Sequence, residues 1–271
     1  MKQLSLSAFS LKMIAIISML INHTTVILWQ IFPMWVHIPV GYIRGITFPI
    51  MAFFVTEGFY RTRNIKKYML RLLIFGAIAQ IPYSLAFGFW IHNLNIIFSI
   101  LIGLCCLVLH EKLYVEKGKK ALFVILFILI NIFFSSVIPV EGQFICILLI
   151  FLFKVIKDEK KRRTIPLIVM GALNVGAAAF SYVSVNFFGS ADEVVAAMAL
   201  GTGSFVEHTI MMMHYFVLPL GTFMMIPLLR AYNGERGLRA KYLFYTVYPG
   251  HFIVLSAIAY ALGLLHITGL F

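Results

Sequence analysis

Charge is what this 271-residue chain has least of: Asp, Glu, Lys and Arg together make up 12% of it, and only ten of those residues are acidic against 22 Lys and Arg. Soluble domains carry about a quarter of their residues as charged side chains, so this chain cannot cover a water-facing globular surface. Cysteine is nearly absent. Cys105, Cys106 and Cys146 fall inside apolar runs without ligand-like spacing, which excludes a disulfide framework or a cysteine zinc site and leaves them as small packing residues. No P-loop, HExxH, GxSxG or EF-hand spacing is present, and no bound metal is expected. There is no internal repeat, no inverted pair of broken helices and no separate polar domain, so residues 1–271 read as one domain. The first apolar run follows Lys2 but lacks an A-x-A-like cleavage site and is succeeded by further apolar runs, so it reads as a first transmembrane helix rather than a signal peptide.

What the chain does contain is apolar surface: 62% hydrophobic residues and a mean hydropathy of +0.97. The expected fold is all-α, a polytopic transmembrane helical bundle. With about 20 apolar residues per span, nine candidates emerge, at about 11–32, 43–60, 68–89, 94–110, 121–138, 142–156, 164–187, 206–229 and 242–265. Pro49 is expected to shorten the second. Residues 190–205 read as an outer loop, an interfacial helix or a re-entrant segment. The basic clusters at 61–71, 112–120, 154–163 and 230–241 fall on one side of such a bundle with Lys2 and Lys12, leaving Arg44 as the single cation opposite. The positive-inside rule then predicts a cytoplasmic N-terminus and an external C-terminus. It also accounts for the net charge of +12 without nucleic acid, which would need an exposed basic face.

Ionisable groups inside apolar spans cost a few kcal/mol each on insertion scales and so mark candidate sites. In LKMIAIISMLINHTTVIL (residues 11–28), Lys12 and His23 are eleven residues apart. At about 100° and 1.5 Å per residue they share one helix face, with His23 roughly 16 Å above Lys12. A helix–helix hydrogen bond is the plainer use of His23; a lysine at the inner end of a span commonly snorkels. Glu57 precedes Arg61 by four residues, the spacing of an ordinary ion pair, yet lies in apolar sequence beside Gly58. Arg44 is either a headgroup anchor or an external binding group. His92, Asn93 and Asn95 gather at the mouth of the fourth span, and Glu207, His208 and His214 in the eighth, where MMMHYF reads as packing. Asn174, Tyr245, Tyr248 and His251 add polar atoms to the seventh and ninth.

LKMIAIISMLINH, RGITFPIMAFFVTEGFYRTRNIKKYMLRL, LNIIFSILIGL and KYLFYTVYPGHFIVL resemble, in that order, blocks of the TraX family, membrane proteins named for the enzyme that acetylates the N-terminus of conjugative pilin. The resemblance runs from about residue 11 to 255 and is weak between about 112 and 240. The family is similar to the wider transmembrane acyltransferases, in which a basic residue in the first helix precedes a histidine with ten residues between; Lys12 and His23 fit that spacing. Asn22 stands where TraX proteins usually carry Asp, and VEGQF replaces a clearer acidic and tyrosine block.

The resemblance implies a multi-pass protein of the bacterial cytoplasmic membrane, surrounded by lipid. It takes acetyl-CoA from the cytoplasm and passes the acetyl group to an acceptor hydroxyl or amine at or beyond the outer half of the membrane. Under it, His23 is the expected general base, in a direct transfer or by way of an acetyl-His intermediate, with Glu57 as a second catalytic group. Lys12, Arg61, Arg63, Lys66 and Lys67 are expected to hold the donor's phosphates, with Tyr248 and His251 placing its thioester. Arg44, Asn95, His208 and His214 are expected to line the acceptor side, where a peptide, glycan or lipid headgroup would bind. Two other readings are weighed against it: a secondary transporter relaying protons through His and Glu, and a non-catalytic assembly protein whose polar pairs lock helices.

Overall fold

The structure, a computed structural model, describes residues 5–87, 93–183, 220–239 and 241–264. The described residues form helices: α1 Ala8–Ile27, α2 Met34–Arg61, α3 Ile65–Phe87, α4 Ile96–Leu109, α5 Lys120–Ser136, α6 Gln143–Val155, the single-turn α7 Glu159–Arg162, and α8 Ile165–Val183. They are followed by α9 Leu220–Arg230 and α10 Lys241–Ala261. Extended pairing is confined to two isolated bridges among the described residues. Among the described residues four helices, Ala8–Ile27, Trp35–Arg61, Ile65–Phe87 and Ile96–Glu116, are long and apolar enough to cross a membrane. Each remaining apolar run read from the sequence also holds a helix in its described part, and α5, α6 and α9 are shorter apolar helices.

Where the sequence predicts a second span cut short by Pro49, α2 continues from Met34 to Arg61 through both Pro39 and Pro49. Each proline removes one intrahelical hydrogen bond, and helices that pack on neighbours in an apolar medium absorb that loss. α1 supplies such packing: it runs antiparallel to α2, with Thr47 Oγ1 donating to the Ala15 carbonyl at 3.2 Å and Lys12 Nζ 4.8 Å above the Phe54 ring. The fourth span is extended by a π-helical segment, His110–Glu116, pinned to α6 by an ion pair between Glu111 and Lys154.

Leu11, Ile50, Phe53, Leu104, Ile150 and Phe153, all fully buried, form the core where α1, α2, α4 and α6 meet. Phe53 makes edge-on contacts with Phe54, Phe153 and Tyr232. At the end of this core sits Arg162, buried although charged. Its Nη2 lies 2.5 Å from Glu57 Oε1, its Nε donates to the Phe153 carbonyl at 2.8 Å, and its guanidinium covers the Phe53 ring. Glu57 also binds Arg61 at 3.0 Å.

The carboxylate of Glu57 therefore closes a charge network tying α2 to α6 and α7, not a site beside His23. It lies beyond Phe54, level with the start of α1, on the order of 20 Å along the bundle from His23 at about 1.5 Å per residue. Removing one partner of a buried pair leaves the other charge uncompensated. Glu57→Ala should lower stability by about 3 kcal/mol and Arg61→Ala, whose side chain is mostly exposed, by under about 1 kcal/mol. Thermal unfolding in detergent checks this; equal effects would contradict the network's hierarchy.

Candidate functional site

The start of α1 is fixed by the segment after α9. The first backbone N–H groups of a helix lack intrahelical partners. Here Ala8 N and Phe9 N donate to the carbonyls of Glu235 and Arg236 at 2.8 and 3.1 Å, while Ser10 N donates to Ser7 Oγ at 3.2 Å. Gly237, at φ +67°, crosses against Ser7 and Phe9, where a Cβ would strike the Ser7 hydroxyl. This strap brings Arg236 to the foot of α1, close enough for its charge to repel Lys12.

Fifteen residues above Ala8, His23 leaves α1 into the bundle, 5% exposed. Its Nδ1 is 2.7 Å from Nε2 of His251 on α10, and His251 Nδ1 is 3.0 Å from the Val247 carbonyl. The two imidazoles are nearly coplanar, at 8°. Phe252 packs on the His23 ring at 4.8 Å and Phe87 meets it edge-on at 6.0 Å. Tyr248, one turn before His251, packs against Phe252 and is buried.

A cavity of about 790 Å³ joins these two places. Lys12 and Arg236 line one end, Ala15, Ile16 and Met19 the wall between, and His23, Arg44, Glu141, Tyr83 and Tyr248 the other. His251 stands behind His23, outside the lining. Arg44, the one cation expected on the outer side, is exposed and belongs to the cavity wall, where its charge acts on both His23 and Glu141.

Other expected site residues lie elsewhere. Arg61, Arg63, Lys66 and Lys67 are exposed and outside the cavity lining. Their place at its foot is taken by Arg236, which the sequence shows only as one of four cations between residues 230 and 241. Asn95 is fully buried with its amide committed: Nδ2 donates to Gly76 O and Gln80 Oε1, and Oδ1 accepts from Ile97 N. It is the N-cap of α4, and its side chain is engaged in fixing that helix start. His208 and His214 lie outside the described residues.

Glu141 is the residue that sequence reasoning missed. Its loop is clamped to the start of α4 by Leu94 N to Pro139 O, Glu141 N to Leu94 O and Ser99 Oγ to Glu141 O. Gly142 follows at φ +77°, with Cys146 occupying the space a side chain would need. The carboxylate is thereby turned into the cavity wall, where Oε2 accepts from Ile96 N at 3.1 Å. Burial raises its pKa from the usual 4.5 to about 7, against the opposing pull of the Ile96 N–H and Arg44.

A family model described as "TraX protein" matches residues 7–259. The chain belongs to the TraX family. It is also similar to a probable fimbrial assembly protein, FimC of serogroup H1, from Dichelobacter nodosus, with 35% identity over 121 residues covering 41% of this chain and 49% of the relative. The match thus spans about half the length of that curated relative. No solved structure matches.

A carboxylate whose pKa is higher in the folded protein than in the unfolded chain favours the fold while protonated. Its contribution is full below about 4.5 and is lost as the pH rises through about 7. Thermal stability between pH 5 and 8 should therefore fall more steeply in the wild type than in Glu141→Gln; parallel profiles would mean that Glu141 is solvated.

Proposed function

We propose that this TraX-family protein is a multi-pass acetyltransferase of the cytoplasmic membrane that moves an acetyl group from acetyl-CoA to an acceptor at or beyond the outer half of the bilayer. The observation that carries the proposal is a cavity that links a pair of cations, Lys12 and Arg236, to a histidine held at mid-bundle, His23. Nine spans with the N-terminus inside would set the Lys12 end toward the cytoplasm, since the basic clusters then share that side. The volume falls within the usual range of small-molecule sites, about 300–1,000 Å³.

Lys12 and Arg236 suit the phosphates of the donor, and the apolar wall between them and His23 suits its thin arm. The thioester supplies the acyl group. His23 takes the proton of the acceptor's hydroxyl or amine as the new bond to the acyl carbon forms and the carbon–sulfur bond breaks, then returns that proton to the departing thiolate. Arg44, and Glu141 at the same end, face the acceptor. A peptide, glycan or lipid headgroup fits this end of the cavity. The relative's name, a fimbrial assembly protein, favours a peptide of a surface fibre. The transporter reading calls for discontinuous helices, whereas α1 and α2, which line the cavity, are continuous, α2 even through its prolines.

His23→Gln in purified, folded protein should abolish acetyl-CoA-dependent release of CoA in the presence of acceptor; full activity would remove the mechanism. Arg236→Ala and Lys12→Ala should each weaken acetyl-CoA binding by roughly tenfold, about 1.4 kcal/mol, measured by calorimetry. A comparable loss in Lys67→Ala with none in Arg236→Ala would place the donor on the exposed cluster instead.

A further inference from the structure

We infer that His251 is a positioning residue that fixes the tautomer of His23 and so decides which nitrogen faces the cavity as a base. The inference rests on the reading of His23 as the base but follows from hydrogen bonds alone. A backbone carbonyl only accepts. The 3.0 Å contact between His251 Nδ1 and the Val247 carbonyl therefore requires the proton of His251 on Nδ1. In a neutral ring the other nitrogen, Nε2, is then an acceptor. Its partner at 2.7 Å, His23 Nδ1, must donate. The proton of His23 is consequently on Nδ1, and its Nε2 carries the lone pair, on a ring that lines the cavity.

The opposite order would need a doubly protonated His251. That charge would sit 8% exposed, packed on Phe252 and Tyr248 and hydrogen-bonded to His23 and to the backbone of Val247 and Tyr248, none of them a carboxylate. Burying an ion without a counter-charge is costly. The neutral chain from Val247 through His251 to His23 needs no charge at all.

The geometry also shows why the arrangement is stable. Val247 and His251 are separated by one helical turn on α10, so the carbonyl that orients His251 belongs to the same helix and moves with it. Phe252 and Phe87 hold the His23 ring from two directions, which opposes the ring flip that would put Cδ2 in the place of Nδ1 and Cε1 in the place of Nε2. A group that orients and polarises a histidine from behind is the arrangement by which a base is kept in one tautomer.

Two measurements on the full chain test this. In histidine-15N-labelled protein, with the His23 signals assigned by their loss in His23→Gln, the wild type should show a protonated Nδ1 and an unprotonated Nε2. The His251→Leu variant should shift His23 toward the Nε2-protonated form. A proton on Nε2 of His23 in the wild type, or an unchanged spectrum in His251→Leu, would overturn the inference whatever the reaction. In the acetyl-transfer assay, His251→Leu should lower kcat by roughly 10²-fold, the scale of a general-base contribution, with the KM for acetyl-CoA within about twofold. His251→Gln, whose Oε1 accepts the same hydrogen bond, should recover most of that loss. Equal losses in Leu and Gln would assign His251 a packing role. Should the tautomer be as stated while neither wild type nor variant transfers acetyl groups, the proposed function fails and the hydrogen-bond order stands.

Discussion

The bundle turns on one hydrogen bond, between His23 of the first helix and His251 of the last described one. In water such a contact would be exchanged freely with solvent. Among Phe87, Phe252 and Tyr248 the rings are shielded from water, and a polar group stranded there costs more than a bond formed there gains. α1 and α10 are thus held in register by the same atoms that aim the outer nitrogen of His23. The structural and chemical demands on this residue coincide: the partner that satisfies its inner nitrogen leaves the outer one available.

The rest of the architecture serves the two ends of the cavity. At the foot, the strap across the start of α1 satisfies helix N–H groups with its carbonyls and, in doing so, delivers Arg236 beside Lys12. At the far end, the loop before α6 is clamped to the cap of α4 and presents Glu141. Neither residue reaches the cavity by a long flexible excursion; each follows from how a helix start is capped. The Glu57–Arg162 pair, by contrast, secures α7 to the core and contributes nothing to the lining.

Much of the fold was legible in the sequence because hydropathy is a one-dimensional signal: each apolar run holds a helix in its described part. The Lys12–His23 pair was equally legible, since both residues sit on one helix and the helical repeat alone places them on one face. What stayed hidden depends on contacts between distant segments. Glu57 showed its local partner, Arg61, but not Arg162, which is 105 residues away. Arg236 could not be told from its basic neighbours without the strap, nor could Glu141 be told from an ordinary outer loop without Leu94 and Ile96. Asn95 was readable in principle: an Asn before an apolar run is a helix cap before it is a ligand. Pro49 misled because a helix-breaking rule drawn from soluble chains weakens where neighbouring helices enforce the geometry.

The central claim is that one passage carries the donor from the paired cations at the foot of α1 to the imidazole at mid-bundle. A density map of the protein with a non-hydrolysable acetyl-CoA analogue tests it most directly. The account predicts phosphate density against Lys12 and Arg236 and the acyl end in contact with Nε2 of His23. Nucleotide density on the exposed cluster at residues 61–67, or an acyl end that does not reach His23, would contradict it.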